Sequence, residues 1–164
     1  MFARHFINSF DFAHQGRELH GLVPVAELLR LQDMLADSTG EISYAVRGWQ
    51  GNDGKPMLEV AMDGVCQLRC QRCLNGLAYP VKLVARLQLA TQAELDAAAA
   101  DEADEQDSIL ADDHLDVLAL LEEELLLSLP FAPRHEVGAC QPAVEELDRS
   151  DENPFAVLAG LKKK

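Results

Sequence analysis

Residues 57–89 read MLEVAMDGVCQLRCQRCLNGLAYPVKLVARLQL, and this stretch decides the fold. Between Met57 and Arg69, the residues Leu58, Val60, Met62, Gly64, Cys66 and Leu68 share one parity, while Glu59, Asp63, Gln67 and Arg69 share the other. A period of two is that of a strand with one face in a core. The pattern returns from Leu77 to about Leu89, with Leu77, Tyr79, Val81, Leu83, Ala85, Leu87 and Leu89 on the inner parity. Between the two runs lies Cys70 to Gly76, ending in the turn dipeptide Asn75-Gly76, whose glycine is free to take a positive φ. The stretch predicts a long antiparallel hairpin with Cys70 and Cys73 at its tip. Pro80 has no amide hydrogen and fits an edge, or a break near the tip.

Outward from the hairpin, Glu41 to Gly48 alternates Ile42, Tyr44 and Val46 against Glu41, Ser43 and Arg47, which predicts a further strand. Gly51-Asn52-Asp53-Gly54 is a turn. Pro24 to about Ala36 reads as a helix, with Val25, Leu28, Leu29 and Leu35 as its apolar stripe and Asp37 to Gly40 closing it. A second helix is predicted from near Asp113 to just before Pro130. Its buried stripe is Leu115, Leu118, Leu121, Leu125 and Leu129, with Glu122, Glu123 and Glu124 mostly outward. Pro130 and Pro133 then stiffen an extended segment that carries His135 toward Cys140. With no βαβ rhythm, the expectation is an α+β fold: an antiparallel sheet with a long central hairpin, packed by helices. Residues 1–152 form one domain in this reading, and 153–164 a short C-terminal helix with a basic tail, capped by Asn153 with Pro154 in its first turn.

Charge narrows the function classes. Lys plus Arg number 14 and Asp plus Glu 28, so the 164-residue chain carries a net charge of −14. That balance opposes broad adhesion to nucleic acid or an anionic membrane, and leaves room for a basic protein partner. Much of the negative charge crowds residues 94–116, and the acidic segment about 94–113 reads as a solvated loop with a short helix, held open by like-charge repulsion. The other reading of this tract is an imitation of nucleic acid that engages a basic partner. No twenty-residue apolar span and no long apolar start are present, which gives a cytoplasmic protein as the expectation.

In a reducing compartment the four cysteines are more naturally free or metal-bound than disulfide-linked. Cys70 and Cys73 enclose two residues, the spacing of a metal knuckle, and His135 with Cys140 would complete a Cys3His tetrahedral zinc set. Other readings stand beside it. The Cys70/Cys73 pair also reads as surface thiols or a redox pair, although a thioredoxin-like motif opens a helix rather than a hairpin turn. His135 alone reads as a surface or half-buried histidine. Cys66, on the core parity, reads as a small hydrophobe, or as a fourth thiolate in place of His135 if the strand bends early.

No Gly-rich phosphate loop, no Gly-x-Ser-x-Gly elbow and no His-Glu-x-x-His is present, so no enzyme class is favoured. Arg69, Arg72, Lys82 and Arg86 give the hairpin a local positive charge that suits either phosphate contact or plain solubility.

Several stretches together resemble the bacterial DUF177/YceD family, the large ribosomal RNA subunit accumulation proteins. They are Leu68-Arg69-Cys70-Gln71-Arg72-Cys73 after a long strand, the helix from Asp116 to Leu129 ending in Leu-Pro, Pro133 to His135 leading to Cys140, and Asn153-Pro154-Phe155-Ala156-Val157-Leu158 before Lys162, Lys163 and Lys164. The resemblance runs from Gly21-Leu22 onward. It implies a role in synthesis, processing or stability of 23S rRNA, no catalytic activity, and ribosomal protein L32 as a candidate partner. Many relatives hold a cysteine-rich second half of the knuckle, where this chain has His135 and Cys140. Arg69, Arg72, Asn153, Pro154, Phe155, Leu158 and the three terminal lysines are the expected partner contacts. A direct rRNA-binding module is the alternative function, and a thiol redox protein a further one.

Overall fold

A computed structural model describes residues 4–98 and 107–140. In chain order the elements are β1 (Phe6–Ile7), α1 (Ser9–His14), β2 (Glu18–Pro24), two 3-10 turns (Val25–Glu27 and Leu29–Met34), β3 (Leu35–Asp37), β4 (Glu41–Gln50), β5 (Pro56–Arg69), β6 (Gly76–Ala90), α2 (Gln92–Ala98), β7 (Ser108–Leu110), β8 (Leu115–Asp116) and α3 (Val117–Ser128). The main sheet has the order β2-β4-β5-β6-β7, with β3 taking over beside β5 where β4 ends. β1 and β8 form a separate two-stranded ribbon.

The predicted hairpin is the spine of this α+β fold. β5 and β6 pair antiparallel without a register break from Met57↔Gln88 to Arg69↔Gly76. Leu58, Val60, Met62, Cys66, Leu68, Val81, Leu87 and Leu89 of the inner parity are buried in one core with α1 and α3. Burial of that stripe fixes the register, because a one-residue slip would turn the whole set to water. Gly48 lets α1 lie directly on β4: a Cβ there would stand 2.7 Å from the Ala13 Cα and 2.7 Å from the Phe12 carbonyl oxygen.

Pro80 sits at an edge, as its chemistry requires. The N–H of Gln88 and the carbonyl of Ala90 point away from β5, toward the β7 side. By the two-residue period Pro80 aims the same way, and β7 reaches only as far as Gln88. The missing N–H therefore costs no ladder bond.

Three expectations are corrected. The segment 24–36 is not an α-helix: Pro24 ends β2, and Leu28 N–H bonds to Val25 O at 3.1 Å and Leu31 N–H to Leu28 O at 3.2 Å, the i→i+3 pattern. Val25, Leu28 and Leu31 are buried at a spacing of three, whereas Leu29, placed in the stripe by a 3.6 period, is 72% exposed. Second, α3 starts at Val117 rather than near Asp113. The Asp116 carboxylate caps it by accepting from the Leu118 and Ala119 N–H groups, and Leu115 is drawn into β8. Third, only Glu123 of the glutamate triplet points outward. Glu122 and Glu124 are buried, and burial, reinforced by Glu123 and Asp107, holds the Glu124 carboxyl above its ordinary range.

The acidic segment supplies α2 and β7 at its two ends. β7 joins β6 in parallel, the only parallel pair among the described strands and one the sequence did not announce. The predicted C-terminal helix and lysine tail lie outside the described residues. Among those residues, no helix is long and apolar enough to cross a membrane.

Candidate metal centre

Two loops that are distant in sequence meet at the tip of the β5–β6 hairpin. In the first, Cys70 closes the turn with its own backbone: its N–H bonds to Asn75 O and its carbonyl accepts from Leu74 N–H, each at 2.9 Å. The turn needs one left-handed residue. That residue is Leu74, at φ 63°, and not the glycine expected to take it. The second loop leaves α3 through Pro130 and Pro133, and the Pro133 carbonyl accepts the Gln71 N–H at 2.9 Å. His135 follows, then a turn closed by Ala139 N–H on Glu136 O with Gly138 at φ 91°, which returns the chain to Cys140.

Cys70, Cys73, His135 and Cys140 converge there, with all four ligand atoms within 4.8 Å of one another. Cys70 and Cys140 are buried, and Cys73 and His135 are half-buried. The Cys70 and Cys140 sulfurs stand 3.8 Å apart, and the Cys73 sulfur lies 3.4 Å from His135 Nδ1. A tetrahedron with metal–sulfur bonds of ~2.3 Å and a metal–nitrogen bond of ~2.0 Å has S···S edges of about 3.8 Å and S···N edges of about 3.5 Å. Those two edges match a tetrahedral zinc site, and the four donors lie close enough together to hold one ion.

Hydrogen bonding prepares the donors. His135 Nε2 is 3.0 Å from the Gly76 carbonyl oxygen, which can only accept, so Nε2 donates there and the ring is held with Nδ1 turned toward the thiols. Burial pushes the Cys70 thiol up. It is outweighed by backbone N–H groups of Cys73, His135 and Arg72 and by the Cys73 side chain, which together bring it down to about 5. Cys140 is pushed up to about 11, by burial and by its neighbours Cys73 and Cys70. The pocket thus welcomes one thiolate and resists the next, as closely spaced acids do. A divalent cation removes that conflict, since a coordinating thiol ionises outright.

Cys66 takes no part. It is fully buried among core side chains, and burial holds its thiol up at about 11. Arg72 is exposed at the tip, and Arg69 reaches the Leu35 carbonyl with Nη2 at 3.4 Å. Asn153, Pro154, Phe155, Leu158 and Lys162 to Lys164 fall outside the described residues. Sequence reading found the ligand types but not what aims them: the Gly76 carbonyl, the Gln71–Pro133 bond and the strained Leu74. Only Gly138, between His135 and Cys140, carried a signal for its turn.

The fold and site define a class: an α+β domain with a cysteine–histidine centre at the tip of its main hairpin. The family model for the large ribosomal RNA subunit accumulation protein YceD matches residues 58–162, a span that takes in both ligand-bearing loops. This chain belongs to the YceD family. No solved structure matches it.

Proposed function

We propose that this chain is a non-enzymatic, cytoplasmic factor of ribosome biogenesis that supports synthesis, processing or stability of 23S rRNA. It does so by binding a basic large-subunit ribosomal protein or a pre-ribosomal particle, with L32 as the first candidate. The observation that carries this reading is the family match, which covers the hairpin, α3 and both ligand loops. Charge supports it: a body of net charge −14 attracts a basic protein, steers it into register and shields it from indiscriminate RNA contact.

In this reading the four-residue centre holds zinc in a structural role. Three thiolates and one imidazole fill all four positions of a tetrahedral ion, leaving no open position for a reacting group. Arg69 and Arg72, with Asn153, Pro154, Phe155, Leu158 and Lys162 to Lys164, offer contacts to the partner.

A direct rRNA-binding module would collect positive charge on one face. Instead, the outward rows of the sheet set Arg47 and Arg86 against Glu59, and Lys82 against Asp63. That alternation favours a protein as the main partner and leaves this face only a few cations for a small local contact. A thiol redox role would use two sulfurs with His135 beside them, and would leave the third sulfur that converges on the same point without a role.

The test is a pull-down with the full chain at about 50 mM and about 300 mM salt, where screening of a charge-driven contact differs strongly. Capture of L32, another basic large-subunit protein or a large-subunit precursor at low salt, weakened at high salt, is expected. Absence of all of these at low salt contradicts the reading.

A further inference from the structure

Far from the hairpin tip, on the outer face of the sheet, Arg47, Trp49, Glu59 and Arg86 line a concavity of about 370 Å³. Arg47 and Trp49 share the outward parity of β4, opposite to the buried Val46 and Gly48. The register sets Arg47 across from Glu59, and Glu59 across from Arg86, with Trp49 across from Met57 in the neighbouring row. Arg86 is held: its Nε donates to Glu59 Oε2 at 2.9 Å. Arg47 has no ion-pair partner among the described residues. Trp49 is half-buried and keeps part of its indole in the concavity.

We propose that this ledge binds a nucleotide unit of single-stranded RNA, with a base stacked on Trp49 and the flanking phosphates on Arg47 and Arg86. A half-exposed aromatic plane beside guanidinium groups is the chemistry by which unpaired bases and their backbone are held. The volume suits an organic ligand of nucleotide size rather than a single ion. Two guanidiniums repel the basic protein partner assigned above, so this surface is separate from that contact. Bases within a duplex are hidden from an indole, so the ligand is single-stranded. With only two cations engaged, in a strongly acidic chain, binding is modest and depends only weakly on salt. The inference goes beyond the protein-partner reading and is tested without it.

Trp49 is the only tryptophan of the chain, so its fluorescence reports directly on the ledge. The full chain is titrated with oligoadenylate and oligouridylate of about ten nucleotides, a length typical of one such site, and with a duplex of the same length. Saturable quenching by the single strands is expected, with duplex binding at least about fivefold weaker. In anisotropy titrations with labelled RNA, Trp49→Leu weakens binding about tenfold or more and Arg47→Ala about three- to tenfold, while Glu59→Gln tightens it by removing the opposing charge. Arg47 is solvent-exposed, so its variant tests the ledge even if Trp49→Leu fails to fold. No quenching by either single strand, equal binding of duplex, Arg47→Ala binding like the parent, or quenching by an acidic peptide but not by RNA each overturns the proposal. A failed pull-down with intact RNA binding would sink the protein-partner reading alone.

Discussion

The backbone N–H of Gln71 donates to the carbonyl of Pro133 at 2.9 Å, joining the hairpin tip to the loop that follows α3. Each partner lies within two residues of a sulfur or imidazole ligand, so this bond brings the two halves of the metal centre into contact. The cysteine turn alone supplies two donors. The Gln71–Pro133 contact brings the second loop's donors to these two, so binding of a metal by all four would be coupled to closure of that loop.

Leu74 pays for the tight turn with a left-handed backbone, which costs a non-glycine residue about 1–2 kcal/mol. Its side chain is 68% exposed, so little packing is lost on truncation. Leu74→Gly is expected to raise stability by about 0.5–1 kcal/mol once the extra freedom of the unfolded chain is counted, with metal content unchanged. Thermal unfolding of parent and variant at equal metal content measures this; a lower midpoint in the glycine variant would show that the turn is not strained there.

Glu122 is buried, and its Oε1 accepts the Arg30 N–H at 3.1 Å, at the start of the second 3-10 turn. Glu122→Ala leaves that donor without a partner and is expected to cost about 1–3 kcal/mol, while Glu122→Gln retains an acceptor and costs less than about 1 kcal/mol. Urea unfolding of both variants distinguishes them. Equal losses would place the role of Glu122 elsewhere.

The thiol of Cys66 is pushed up to about 11 by burial, from an ordinary 9.0. Folding favours its protonated form, so its contribution is fully present below pH about 9 and is lost as pH rises through about 11. A shift of this size corresponds to about 2–3 kcal/mol at full effect. The stability of the parent should therefore fall more steeply between pH 8.5 and 11 than that of Cys66→Ala, as unfolding curves on metal-loaded protein would show; parallel slopes would rule out this origin.

How far these features could be read in the sequence follows from period and length. The hairpin was legible because in thirteen residues of β5 the large apolar side chains fall mainly on one parity and every charged one on the other, and a long apolar parity returns in β6, a period of two rather than a helical one. The 25–35 segment was not, because 3.0 and 3.6 periods agree on Val25 and Leu28 and part company only at Leu29 and Leu31. β1 has two residues and α1 six, too short for any period to show. The ligand types of the metal centre were legible from chemistry and spacing. Their aim was not, because backbone bonds from Gln71, Leu74 and Gly76 set it, and such bonds leave no mark on residue identity. Glu122 was placed outward because a carboxylate is rarely buried, and an unpaired backbone donor at Arg30 drew it in.

The claim on which most of this rests is that the Cys70, Cys73, His135 and Cys140 cluster is a zinc site that fastens two loops together. Metal analysis of protein purified without chelator tests it most directly, paired with thermal unfolding of the parent and of Cys70→Ser. The account predicts close to one zinc per chain, loss of that zinc in Cys70→Ser, and a drop of about 10 °C or more in the parent's midpoint on chelation. Zinc-free protein whose midpoint is the same with and without chelator, and the same in Cys70→Ser, would contradict it.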